Sequence, residues 1–113
     1  EQKRVQVARA IMTDPELLLL DEPNASLDLG SREVLVGLLS EYAKSPVTPA
    51  LVMVTHHVEE IPPGFTHVLL LRDGKAVAAG PLSDTLTAEN LSETFGVQIK
   101  LSEDGGRYAA RAH

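Results

Sequence analysis

The chain reads as an α/β domain. Two helical periodicities alternate with two short apolar runs in its first half, and an Asp-Gly turn joins two further strand-like runs after them. Helices alternating with short buried strands mark a parallel sheet covered by helices, and the Asp-Gly turn adds an antiparallel hairpin.

Each element has its own signal. From Gln2 to Thr13, Val5, Ala8, Ile11 and Met12 recur at spacings of three and four, with Lys3, Arg4 and Arg9 on other faces, which predicts a helix ended by Asp14-Pro15. Glu16 to Leu20 is a short run dominated by leucine and bracketed by Pro15 and Pro23. It is too short for a long helix and apolar toward both sides, so it is expected as a buried parallel strand. Asn24 to Gly30 is a loop. Ser31 is expected to cap a helix to about Ala43 with Val34, Leu35, Leu38 and Leu39 on its buried face. Ser45 to Pro49 is a linker, and Ala50 to Thr55 a second buried strand, rich in β-branched residues. His57 to Ile61 suits a short helical turn before Pro62-Pro63-Gly64.

Thr66 to Leu71 and Lys75 to Ala79 are strands around Arg72-Asp73-Gly74. Gly80-Pro81 is expected to turn the chain. Thr87 caps a helix to Phe95, Gln98 to Leu101 alternates like a half-exposed strand, and Asp104-Gly105-Gly106 turns into a closing hairpin strand over Arg107 to Arg111.

Composition narrows the function. At 113 residues the chain suits one small domain or a piece of a larger one, and it opens on Glu1 rather than Met. Hydrophobic residues make up 43% and aromatics 4%, so a core of Leu, Val, Ile and Ala is expected. A formal charge of −6 argues against broad binding to nucleic acid, which needs a basic surface. With no cysteine there are no disulfides or thiolate metal sites. No apolar stretch approaches the roughly 20 residues needed to span a bilayer, and no signal peptide is visible, so the expected compartment is the cytoplasm.

The strongest chemical feature is Leu17-Leu18-Leu19-Leu20-Asp21-Glu22-Pro23. A buried strand ending in carboxylates delivers them to the C-terminal edge of a parallel sheet, where α/β folds bind ligands. Asp21 suits Mg²⁺, a hard cation that takes oxygen ligands, and Glu22 suits orienting or deprotonating a water. By itself the motif is more often an ordinary strand followed by an acidic turn. Ala25-Ser26-Leu27-Asp28 follows; its bland reading is a polar loop with a carboxylate at a helix start. His56 ends the second apolar run and suits donation to a phosphate oxygen, although a lone His is more often a surface or capping residue. Arg4 and Arg9 lie on the opening helix, whose N-terminus is an anion site, but by themselves they read as a solvated basic face.

Taken in order, these features resemble the C-terminal half of an ATP-binding-cassette (ABC) ATPase. Glu1 to Ile11 is similar to the end of the ABC signature and the helix after it. Leu17 to Glu22 resembles the Walker B strand with its glutamate, Ala25 to Asp28 the D-loop, and Val54-Thr55-His56 the switch-histidine loop. Leu69 to Lys75 resembles the hairpin that follows. The likeness covers roughly residues 1 to 95, taken as the C-terminal part of a nucleotide-binding domain, with 96 to 113 as a C-terminal extension.

The resemblance implies part of a P-loop NTPase (RecA-like) core whose Walker A half is absent, ATP and Mg²⁺ as ligands, and ATP hydrolysis in the full-length protein. It gives Asp21 the Mg²⁺ role, Glu22 that of general base, His56 the γ-phosphate contact, and Asp28 the coupling of two sites across a dimer. Glu1 would serve the opposite subunit's ATP, and Ser26 would line the D-loop. The implied partners are a second nucleotide-binding domain and a transmembrane permease at the inner face of the cell membrane; no nucleic acid is expected. The sequence departs from the family's pattern in Glu1 where Gln is commoner, in Asn24-Ala25-Ser26, and in His57 where Asp is common. It contains no G-x-x-x-x-G-K-[ST] run, Gln-loop or Leu-Ser-Gly-Gly, so the fragment alone is expected to be inactive, with pairing edges and apolar surface exposed. A soluble ABC ATPase of translation or DNA repair, and an interaction-only remnant, are the alternatives. Against them stand the Ala25-Ser26-Leu27-Asp28 loop, the transporter-like Val-x-Val-Ala-Arg-Ala run, and intact Asp21, Glu22 and His56.

Overall fold

The computed structural model describes residues 17–46 and 50–112. The expected opening helix and Glu1 lie outside the described residues, as does much of the 45–49 linker. The chain divides into two compact units, one ending at Gly64 and one beginning at Phe65.

In the first unit, strand β1 (Leu17–Asp21) lies parallel to β2 (Ala50–Val54), in register from Leu17 opposite Ala50 to Asp21 opposite Val54. Parallel neighbours need a long crossover, and helix α1 (Leu29–Lys44) supplies it. Leu18 and Leu20 of β1 pack on Leu35 and Leu39 of α1, with Leu27, Tyr42, Leu51 and Met53 around them. The α/β class is as the sequence predicts.

Three expectations change. The buried side of α1 is Leu35, Val36, Leu39 and Ser40, while Val34 and Leu38 are exposed. The stripe is rotated because Ser40 holds a place in it: its hydroxyl donates to the Pro63 carbonyl at 2.7 Å, satisfying a polar group that burial would otherwise penalise. The cap is Asp28 rather than Ser31. Asp28 has extended backbone (φ −73°, ψ 175°) and its Oδ1 accepts the Ser31 N–H at 2.8 Å, so the helix starts two residues before Ser31. Finally, β1 is buried on one face only. Leu18 and Leu20 are inside, but Leu17 and Leu19 are 58% and 63% exposed, and Val52 and Val54 of β2 are exposed with them. Helix α1 covers one side of the pair; among the described residues nothing covers the other.

In the second unit, β3 (His67–Arg72) and β4 (Lys75–Pro81) form an antiparallel hairpin. Asp73 and Gly74 both have positive φ (53° and 75°), as a two-residue turn matched to strand twist requires. The register shifts between Leu70 and Leu71, whose partners are Ala78 and Ala76, so Val77 is the extra residue of a bulge. The chain does not turn at Gly80-Pro81, which pair with Val68 and His67 as the end of β4. Proline lacks a donor N–H but is tolerated at the end of an edge strand. The turn comes one residue later, in helix α2 (Leu82–Thr85).

Helix α3 (Ala88–Phe95) is capped as expected by Thr87, which accepts the Asn90 N–H at 3.1 Å, and ends at left-handed Gly96 (φ 75°). Its Leu91 is wholly buried. Arg72 Nη1 donates to the Glu93 carbonyl at 2.7 Å, placing a cation where the helix dipole favours one. The chain closes with the hairpin of β5 (Ile99–Asp104) and β6 (Arg107–Ala112), paired from Ile99 opposite Ala112 to Asp104 opposite Arg107.

Candidate functional site

The parallel pair determines what meets what. With Asp21 opposite Val54, both strands end at one level and release their following residues on the same edge. The Glu22 N–H donates to the Val54 carbonyl at 2.8 Å, extending the pairing by one step. Glu22 and His56, 34 positions apart in the sequence, thus come together: His56 Nε2 lies 3.8 Å from Glu22 Oε1. That is longer than a direct hydrogen bond, a separation at which a small polar group such as water can bridge. Both side chains are open to solvent.

Glu22 is held at φ 47°, a left-handed conformation costing about 1–2 kcal/mol for a residue with a Cβ. The bond to Val54 and a tight turn compel it. Ala25 N–H donates to the Glu22 carbonyl at 3.1 Å, and Leu27 N–H to the Asn24 carbonyl at 3.1 Å. Ser26 is the second left-handed residue of the same loop (φ 70°). Strained backbone of this kind persists only where the surroundings over-determine it, and it clusters at functional sites. Between the two, Asn24 is buried, and neither its Oδ1 nor its Nδ2 has a hydrogen-bond partner.

Asp21 presents an exposed carboxylate at the strand end. Among the described residues no group of three or more His, Cys, Asp or Glu could hold a metal ion. An all-protein metal cage is therefore not what these residues build. One carboxylate at an open edge instead fits the way Mg²⁺ is taken up, by one or two carboxylates plus phosphate and water oxygens.

Asp28 stands at the helix start. The Ser31 backbone N–H, with help from the Ser31 side chain, holds its carboxyl below the ordinary aspartate value of 3.8. A group whose folded pKa is depressed stabilises the fold above its unfolded pKa and loses that contribution as pH falls through the folded value. The stability difference between wild type and Asp28→Ala is therefore expected to be constant above about pH 5 and to shrink as pH falls below 3.8 through the lower folded pKa, measured by urea unfolding across pH. A difference that grew toward acid would contradict the cap.

The structure thus brings Asp21, Glu22 and His56 to one edge, with Ser26 and Asp28 on the loop leaving it. Sequence reasoning missed Asn24 as a buried group, and also Thr55 and Glu60. Thr55 Oγ1 donates to Glu60 Oε1 at 2.5 Å and accepts the His57 N–H at 3.1 Å, and Glu60 is 7% exposed at the end of the 3₁₀ turn Val58–Glu60. A glutamate next to Ile61-Pro62-Pro63 was the available signal, since apolar company on one side implies burial.

No protein-family model matches the chain. It is 42% identical over 99 residues to YlmA of Bacillus subtilis, an uncharacterized ABC transporter ATP-binding protein, covering 88% of this chain and 38% of that one. It is 40% identical over 111 residues to the molybdenum import ATP-binding protein ModC of a Shewanella strain, covering 98% of this chain and 30% of that one. The chain therefore spans well under half the length of these relatives. Among solved structures, an ABC transporter assigned to the metal-chelate type, in an inward-facing conformation, superposes with a TM-score of 0.74 at 26% identity, over 96% of this chain and 43% of that one. By sequence along nearly its whole length and by fold, the chain matches a segment of the ATP-binding proteins of ABC transporters, whose fold is that of P-loop NTPases.

Proposed function

We propose that this segment supplies the hydrolytic edge of an ATPase subunit that couples ATP hydrolysis to transport of a solute. The observation that carries the proposal is the pairing of Glu22 and His56 across 3.8 Å at the open end of the parallel strands. Glu22 is the general base that takes a proton from the attacking water, its carboxylate lying 3.8 Å from the His56 ring. His56 donates from its ring to a γ-phosphate oxygen and steadies the water between the two side chains. Asp21 would hold Mg²⁺ together with phosphate and water oxygens, and the ion would supply neutralisation of the charge that develops in phosphoryl transfer. Asp28 and Ser26 form the loop that meets a second nucleotide-binding domain, and Glu1 serves that partner's nucleotide.

We assign residues 1–95 to the nucleotide-binding domain and 96–113 to a C-terminal extension. The relatives' names, ATP-binding proteins of transporters, support a transporter as the partner; we take its membrane component to be a permease and the location to be the inner face of the cell membrane. Among the described residues no helix is long and apolar enough to cross a membrane.

The sequence holds no phosphate-cradling Gly-rich run. The 113-residue chain alone is accordingly expected to show no Mg²⁺-dependent ATP hydrolysis, while the complete ATPase containing it turns over. Phosphate release from each, purified, checks this; steady hydrolysis by the isolated chain, or none by the complete protein, would sink the proposal.

A further inference from the structure

His56 has little that fixes its own ring, which is 71% exposed and beyond hydrogen-bond distance of Glu22. Its two neighbours in the chain are tied instead. The Thr55 hydroxyl accepts the His57 N–H at 3.1 Å and donates to the buried carboxylate of Glu60 at 2.5 Å, and the Glu60 N–H donates to the His57 carbonyl at 3.1 Å. These three bonds close a small ring of contacts around residue 56. They fix the backbone immediately before and after His56, and so fix the direction in which its side chain leaves the strand end.

We infer that Thr55 and Glu60 are positioning residues for His56, acting through the loop backbone and touching neither nucleotide nor water. The inference rests on the reading of His56 as the γ-phosphate contact. A buried carboxylate needs a donor, and Thr55 provides one. Satisfying Glu60 would not by itself require that the same hydroxyl also hold the His57 amide. The double engagement makes the hydroxyl a clamp with His56 between its ends. Small displacements of a catalytic group cost up to about 100-fold in rate, so loosening the clamp acts on turnover far more than on nucleotide binding, to which His56 adds one contact among many.

The test uses the complete ATPase. Thr55→Val keeps the shape and removes the hydroxyl. It is expected to lower kcat about 10- to 100-fold, to leave the ATP Kd within about threefold, and to speed hydrogen exchange in the peptide spanning residues 55–61. Thr55→Ser restores the hydroxyl and is expected to return kcat to within about threefold of wild type, with exchange slow again. Glu60→Leu is the second variant should Thr55→Val fold poorly, because a buried site accepts leucine while the Thr55 hydroxyl loses its acceptor; the same fall in kcat is expected. In a His56→Ala background, Thr55→Val should cost nothing further. Wild-type kcat in Thr55→Val or Glu60→Leu, no rescue by Thr55→Ser, or an undiminished penalty in the His56→Ala background would each overturn the clamp. Wild-type kcat in His56→Ala alone would instead overturn the role of His56, and the clamp with it.

Discussion

Glu22→Gln in the complete ATPase is expected to lower turnover by about 10²- to 10⁴-fold, the range a positioned general base contributes. Binding of ATP should survive, and the nucleotide-bound dimer should become longer-lived. The substitution keeps the side chain's shape at φ 47° and its bond from N–H to the Val54 carbonyl, so the loop has no reason to move. What changes is charge. A carboxylate facing a polyphosphate repels it, and an amide does not, so the variant loses the base and gains affinity together. Single-turnover hydrolysis and size-exclusion chromatography with ATP read the two effects separately. Turnover near the wild-type rate would remove Glu22 from the general-base role and leave His56 facing a carboxylate with no assigned work.

The second large effect lies in the core. Leu39 is fully buried against Leu18, Leu20 and Leu35, and Leu39→Ala is expected to cost about 2–5 kcal/mol, since the cavity it leaves is walled by side chains from β1 and from its own helix. A domain's whole stability is about 5–15 kcal/mol, so much of the folded population is at stake. Leu38→Ala on the same helix is exposed and should stay within about 0.5 kcal/mol. Urea unfolding midpoints at unchanged m-value give both numbers. Equal losses at 38 and 39 would restore the stripe of Val34, Leu35, Leu38 and Leu39 that periodicity alone suggests.

That contrast shows where the sequence speaks and where it does not. Elements announced by local chemistry are legible: β1 between its prolines, the Asp73-Gly74 turn, and the Thr87 cap all depend on residues within a few positions. The rotation of α1 is not, because Ser40 is buried through a carbonyl 23 positions away. Asp28 and Ser31 are both good cap residues three apart, and only the backbone conformation at Asp28 decides between them. Alternate leucines of β1 are chemically identical, so their opposite fates depend on which side a helix covers. At the site, Asp21, Glu22, Ser26, Asp28 and His56 were legible as an order of motifs. The meeting of Glu22 with His56 depends on strand register, and the Thr55–Glu60 bond on how a short turn folds back.

The left-handed backbone at Glu22 sets stability against activity. Glycine occupies that conformation without the penalty a Cβ brings, so a substitution that destroys the proposed general base would relieve about 1 kcal/mol of strain. A laboratory selection of this chain for heat resistance alone would therefore drift toward glycine at position 22. A selection for turnover would hold the glutamate there and seek its extra stability elsewhere, at positions remote from the strand edge.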